Sequence, residues 1–179
     1  MKSPENIAQK LTEKITNESF AVLKDKKFKQ MVTLDLLDQA EQDRIFNELL
    51  ANGLAVAVLK FRTVRDLSKN GKRSYFNELQ MEMTSCYGNW LMELGTEKEF
   101  AGMWKELIQM RCEEYEKDFK KYKKDLPDIK EGKPWIPIVS FGCYHHIRKG
   151  KTDEADELFT YLTKWIKNLA MMISRAITR

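Results

Sequence analysis

Residues 41–70 read EQDRIFNELLANGLAVAVLKFRTVRDLSKN, and the parsing of this stretch decides the fold class. Phe46, Leu50, Leu54, Ala57, Phe61 and Val64 step by 4, 4, 3, 4 and 3, which traces one face of an α-helix. The phase runs unbroken through Asn52-Gly53. A glycine inside a helix costs about 1 kcal/mol relative to alanine, so it weakens the helix without forbidding it. The run Leu54-Ala55-Val56-Ala57-Val58-Leu59 also reads as a buried strand, but no second convincing strand is present to pair with it. One long helix over 40–70 is therefore expected, ended by Asn70-Gly71.

Working outward, Phe76, Leu79, Met83, Trp90 and Leu94 lie on a second helical stripe, starting at Ser74 and closed by Gly95. Thr96-Glu97-Lys98-Glu99 has the form of a capping box. After it, Phe100, Trp104, Leu107 or Ile108, Cys112, Tyr115 and Phe119 keep the rhythm until Leu126-Pro127. The short links predict that these helices, 40–70, 74–94 and 97–125, pack as antiparallel neighbours. Residues 126–151 hold three of the four prolines and read as a crossover, with a short helix over Val139–Ile147. A fourth long helix follows over 153–178, capped by Thr152, with acids in its first turn and only cations at its end. Before the bundle, Ser3-Pro4-Glu5 opens an N-terminal helical appendage over 1–32 that carries Ile7, Leu11 and Ile15. Around Thr16-Asn17 the pattern weakens, and Met31–Asp38 stays ambiguous. The expected fold is a single all-α domain, an antiparallel bundle of four long helices with that appendage.

Composition agrees with a packed domain. The chain has 179 residues, 42% hydrophobic and 32% charged, with 8 glycines and 4 prolines, which excludes a disordered or collagen-like polymer. Three cysteines at unpaired spacing (Cys86, Cys112, Cys143) fit a reducing, cytoplasmic compartment better than a disulfide framework. Met1-Lys2-Ser3-Pro4-Glu5 runs directly into charged sequence, so no secretory signal is read there. No uncharged stretch approaches the roughly 20 residues of a membrane span.

Chemistry is harder to place. The chain holds no Gly-x-Ser-x-Gly elbow, Walker loop or Gly-x-Gly-x-x-Gly turn. His145-His146 are adjacent and point in different directions, so even with Cys143 nearby they are a poor metal pair. Neither histidine sits in a Glu-x-x-His motif, which removes the di-iron bundle class. Catalytic residues, cofactor and metal are accordingly assigned to none.

Two surfaces remain. Lys60, Arg62, Arg65, Lys69, Lys72 and Arg73 form a basic segment with one acid, Asp66, a candidate contact for phosphate or nucleic acid. The net charge of only +4, the favourable place of cations at a helix C-terminus and the lack of a following recognition helix argue against that use. On the last helix, Leu158, Leu162, Trp165, Leu169, Met172 and Ala176 form a seam, and Phe159, Ile166, Ile173 and Ile177 widen it. This width predicts a homo-oligomer, a dimer first, through those four residues. The alternative is that Ile7, Leu11 and Ile15 cover the face within one chain. The functional expectation is a non-enzymatic interaction or regulatory module acting through self-association or a protein partner. A nucleic-acid binder, and an enzyme or small-ligand binder with an unfamiliar site, are the alternatives.

Overall fold

A computed structural model describes residues 3–68, 70–122, 124, 135–153 and 156–178. Among these residues there are seven α-helices and no strand: α1 (Pro4–Lys24), α2 (Lys26–Val32), α3 (Gln39–Leu67), α4 (Asn70–Glu93), α5 (Lys98–Tyr122), α6 (Trp135–Ile147) and α7 (Glu157–Thr178). A single 3-10 turn, Leu34–Leu36, links α2 to α3. The chain is an all-α bundle, as its periodicity predicts.

The stretch that decided the fold class is one continuous helix, and Gly53 lies inside it. Every residue from Leu49 to Leu59 is buried, so α3 is apolar on all sides along three turns. Such a helix must be walled in completely. The walls are α1, α4, α5, α6 and α7, each of which packs directly on α3. This also explains why the same run resembles a buried strand: a segment enclosed on every face loses its periodicity.

Several boundaries differ from expectation. The helix α3 stops at Leu67, because Ser68 is extended and its N–H bonds back to the Arg65 carbonyl. Asn70-Gly71, expected to end α3, opens α4 instead, four residues before Ser74. The helix α5 starts at Lys98, with Ala101 N–H bonding to Glu97 O, so the expected capping box sits one residue too early. The cap of α7 is Asp156 rather than Thr152: its carboxylate accepts the Leu158 N–H at 2.8 Å. Residues 151–153 instead form a link pinned by Tyr144, whose hydroxyl accepts from Asp153 N–H and donates to Asp153 O. The expected helix stop at Leu126-Pro127 lies outside the described residues, and α6 begins at Trp135, four residues earlier than the short helix expected there. Its indole N–H donates to Thr63 Oγ1 at 2.8 Å, which fastens the start of α6 to α3.

The N-terminal segment is a full member of the bundle. The helix α1 runs through Thr16-Asn17 unbroken, because Thr16 and Ser19 bond back to the carbonyls of Thr12 and Ile15 instead of competing with the helix. Ile7, Leu11 and Ile15 are buried against α3, α4 and α7. The chain then turns at Asp25, which caps α2 by accepting the Phe28 N–H.

The crossing of α1 over α3 depends on Gly53. A β-carbon there would fall 2.6 Å from Ile15 Cγ2 and 3.4 Å from Leu169 Cδ1. Alanine is the better helix former by about 1 kcal/mol, but overpacking a close crossing costs about 1–3 kcal/mol. The crowding should win. Urea unfolding of Gly53→Ala is expected to show a lower midpoint than wild type, and an equal or higher midpoint would contradict the close approach.

Candidate functional site

The basic segment does not present a row of free cations. Arg62 Nη1 pairs with Glu116 Oε1 of α5 at 2.6 Å. Arg65 bonds Asp66 at 2.8 Å and Asn77 at 3.3 Å. Arg73 turns back to donate to the Ser68 carbonyl, serving the end of α3. Lys60 lies apart, beside Ile136, Lys167 and Arg175 in a cavity of about 270 Å³. Lys72 is exposed on α4, and Lys69 lies outside the described residues. Three of the six cations are thus spent on joining or ending the chain's own helices.

The four residues expected to widen the α7 surface divide. Ile166 and Ile173 are fully enclosed in the core, where α1, α2, α3 and α6 surround α7. Phe159 and Ile177 are half-buried and pack against that same core. Ile166 and Ile173, expected as outward contacts, are interior residues, enclosed within one chain by several helices together.

The histidines also separate. His145 is exposed, its ring near Phe141. His146 points inward, with Nε2 at 2.9 and 3.0 Å from the two carboxylate oxygens of Glu114. From there a buried polar chain crosses the bundle. Arg111 donates to Glu114 at 3.1 Å and grips Glu48 of α3 with Nη2 at 2.8 Å and Nε at 3.3 Å. One turn on, the Tyr115 hydroxyl donates to Asn52 Oδ1, whose amide donates to the Glu48 carbonyl. Arg44 donates to the carbonyls of His146 and Ile147, closing the end of α6. Every member is satisfied, so the chain acts as a clamp between α3, α5 and α6. Burial holds the nearby thiols protonated: Cys112 is pushed up to about 12, and Cys143 is also raised. Neither is a thiolate nucleophile under ordinary conditions.

The surface feature with the clearest chemical character is on α5. Its inner face holds Trp104, Ile108, Cys112 and Tyr115. Phe100, Met103 and Met110, spaced by 3 and 7, form a separate stripe and are 55%, 58% and 51% exposed, with half-buried Leu107 between them. At about 100° per residue, the stripe adjoins the buried face rather than opposing it. Glu99, Glu106 and Glu113 recur every seven residues along its outer edge. Each methionine has a glutamate one helical turn before it and another one turn after it. These three carboxylates have no hydrogen-bond or ion-pair partner among the described residues, and all are exposed. Phe100 shares the helical rhythm of the core residues in the sequence, although it is exposed. The heptad spacing of the glutamates beside Met103 and Met110 was the available signal.

The buried clamp carries two expectations. Removing one partner of a buried ion pair costs about 3–5 kcal/mol because it strands the other charge, so Arg111→Met should lower the unfolding free energy by that amount. For Glu114, burial alone would raise the carboxyl, but the His146 contact and the Arg111 charge outweigh it and hold it below 4.5. A group depressed by folding contributes stability above its unfolded pKa and loses it as pH falls through the folded one. Thermal midpoints of Glu114→Gln should therefore fall less steeply below pH 4.5 than those of wild type. Parallel acid limbs would contradict the pairing.

No family model, curated protein or solved structure matches this chain.

Proposed function

We propose that the protein is a non-enzymatic interaction module that docks a basic amphipathic helix of a protein partner along α5. The observation that carries this reading is the exposed Phe100–Met103–Met110 stripe with its edge of unpartnered glutamates. Half-exposed Phe and Met side chains each forgo part of the roughly 1.5–3 kcal/mol that full burial supplies. Methionine suits such a face, since its flexible thioether adapts to different apolar partners. The carboxylates choose the occupant. Their heptad spacing matches lysines or arginines flanking the apolar face of a second helix. An anionic lipid surface would be repelled by the same three groups, and so would an identical acidic edge laid alongside.

The compartment belongs to the same proposal. Three free cysteines, two of them buried and held as thiols, suit a reducing cytoplasm. No helix among the described residues is long and apolar enough to cross a membrane. With Ile166 and Ile173 inside the chain, α7 offers only the half-buried Phe159 and Ile177 of the four expected residues to a second copy.

The test uses a fluorescent amphipathic peptide of leucine and lysine in heptad spacing, read by anisotropy. Wild type should bind it, and a Phe100→Asp, Met103→Asp variant with unchanged helicity should lose at least about tenfold in affinity. Glu106→Lys should weaken the basic peptide and admit a glutamate-substituted counterpart. Absence of binding, or equal binding by the double variant, would overturn the proposal. So would a wild-type mass of a dimer that the same double variant reduces to 21.1 kDa, since the face would then be occupied by a second copy.

A further inference from the structure

A second acidic feature lies elsewhere, between α1 and α4, and it is a cavity rather than a stripe. It encloses about 460 Å³, within the roughly 300–1,000 Å³ of small-molecule sites. Glu5 and Glu13 of α1 face Glu82 and Glu93 of α4 across it. No lysine or arginine is among its lining residues, and none of the four carboxylates has a hydrogen-bond or ion-pair partner among the described residues. Four carboxylates thus line one cleft of a chain whose formal net charge is +4.

Two further observations give the cleft its chemistry. Trp90, 41% exposed, contributes an indole to the wall, and an aromatic face beside carboxylates is the environment that attracts alkylammonium groups. Thr12, only 3% exposed, also lines it. The Thr12 hydroxyl meets only sulfur, Met83 Sδ at 3.9 Å and the Cys86 thiol, both weak partners that leave its oxygen open to a donor. Cys86 reports the field: burial raises its thiol, and the charges of Glu82, Glu93 and Glu5 push it further the same way. The thiol is therefore a poor metal ligand, and no group of three His, Cys, Asp or Glu among the described residues is arranged to hold a metal ion.

The charges are also spread out. Glu5 and Glu13 are eight residues apart, about 12 Å along α1, and Glu82 and Glu93 are eleven apart, about 16 Å along α4. A compact cation cannot bridge the two carboxylates of either helix. A linear one, with ammonium groups separated by short methylene runs, reaches several while its hydrocarbon lies against Trp90. From this geometry we infer that the α1–α4 cleft binds a linear aliphatic polyamine, with Glu5, Glu13, Glu82 and Glu93 holding its ammonium groups and Trp90 its methylenes.

Calorimetric titration of the full chain with spermidine at low ionic strength tests this. One site per chain is expected, weakened at least about tenfold in Glu82→Gln, Glu93→Gln, and weakened also in Trp90→Ala. The glutamine substitutions remove repulsion without changing shape, so helicity and thermal midpoint should hold or rise. Magnesium chloride and tetramethylammonium chloride at matched ionic strength should displace spermidine poorly, because neither spans the cleft. Three results would each overturn the inference: no binding, equal binding by the double glutamine variant, or displacement by magnesium as effective as by spermidine itself. The last would reduce the effect to nonspecific screening.

Discussion

The rest of the structure depends on one constraint: the run from Leu49 to Leu59 must be dry on every side. A helix with one apolar stripe needs a single neighbour, but α3 needs a complete enclosure, and α1, α4, α5, α6 and α7 supply it. The polar exceptions follow from the same constraint. Asn52 sits in the middle of the run, so its amide must find partners inside, and Tyr115 and the Glu48 carbonyl provide them. Gly53 is the place where α1 comes closest. Without a side chain there, Ile15 and Leu169 can approach the backbone. Gly142 does the same for the Tyr115 ring, whose Cε1 would lie 2.2 Å from a β-carbon. The backbone of α6 thereby packs directly on the residue that satisfies Asn52.

Charge is divided by the same architecture. Arginines are drawn into the seams: Arg111 clamps α5 to α3, Arg62 ties α3 to α5, Arg44 closes α6 and Arg148 holds Asp156 at the start of α7. Planar guanidinium groups suit this work, because they donate in several directions at once. The glutamates of the α5 edge and of the α1–α4 cleft are among those without such a partner in the described residues. A chain of net positive charge thus carries acidic side chains beside exposed Phe100, Met103 and Met110 and beside Trp90. Formal net charge says little about individual surfaces, since several arginines are engaged between helices.

Much of the fold was legible in the sequence, because helical phase is local. The 3–4 rhythm across Asn52-Gly53 identified α3, and the same rhythm marked α4, α5 and α7 to within a few residues. What was illegible depends on partners far away in the chain. Whether Ile166 and Ile173 face a second copy or the interior is decided by the helices that pack on α7, namely α1, α2, α3 and α6, and periodicity on α7 alone is identical in both cases. Whether Arg62 is a free cation is decided by Glu116, 54 residues on. The acidic cleft shows the same limit. Glu5, Gln9 and Glu13 form a polar row on α1, and Glu82, Cys86, Asn89 and Glu93 form one on α4. Nothing local says that the two rows face each other. The helix stop at Asn70-Gly71 failed for a different reason: one extended residue, Ser68, ended α3 earlier than the glycine signal did.

Native-state hydrogen exchange resolved by residue tests the enclosure of α3 most directly. Amides from Leu50 to Leu59 should exchange only through global unfolding, with a free energy equal to that from urea denaturation. Amides of α5 on the exposed Met103–Met110 side should open at lower cost. Exchange of Leu50–Leu59 through a sub-global opening, at a free energy matching the outer helices, would contradict the account, because α3 would then have a face that its neighbours do not seal.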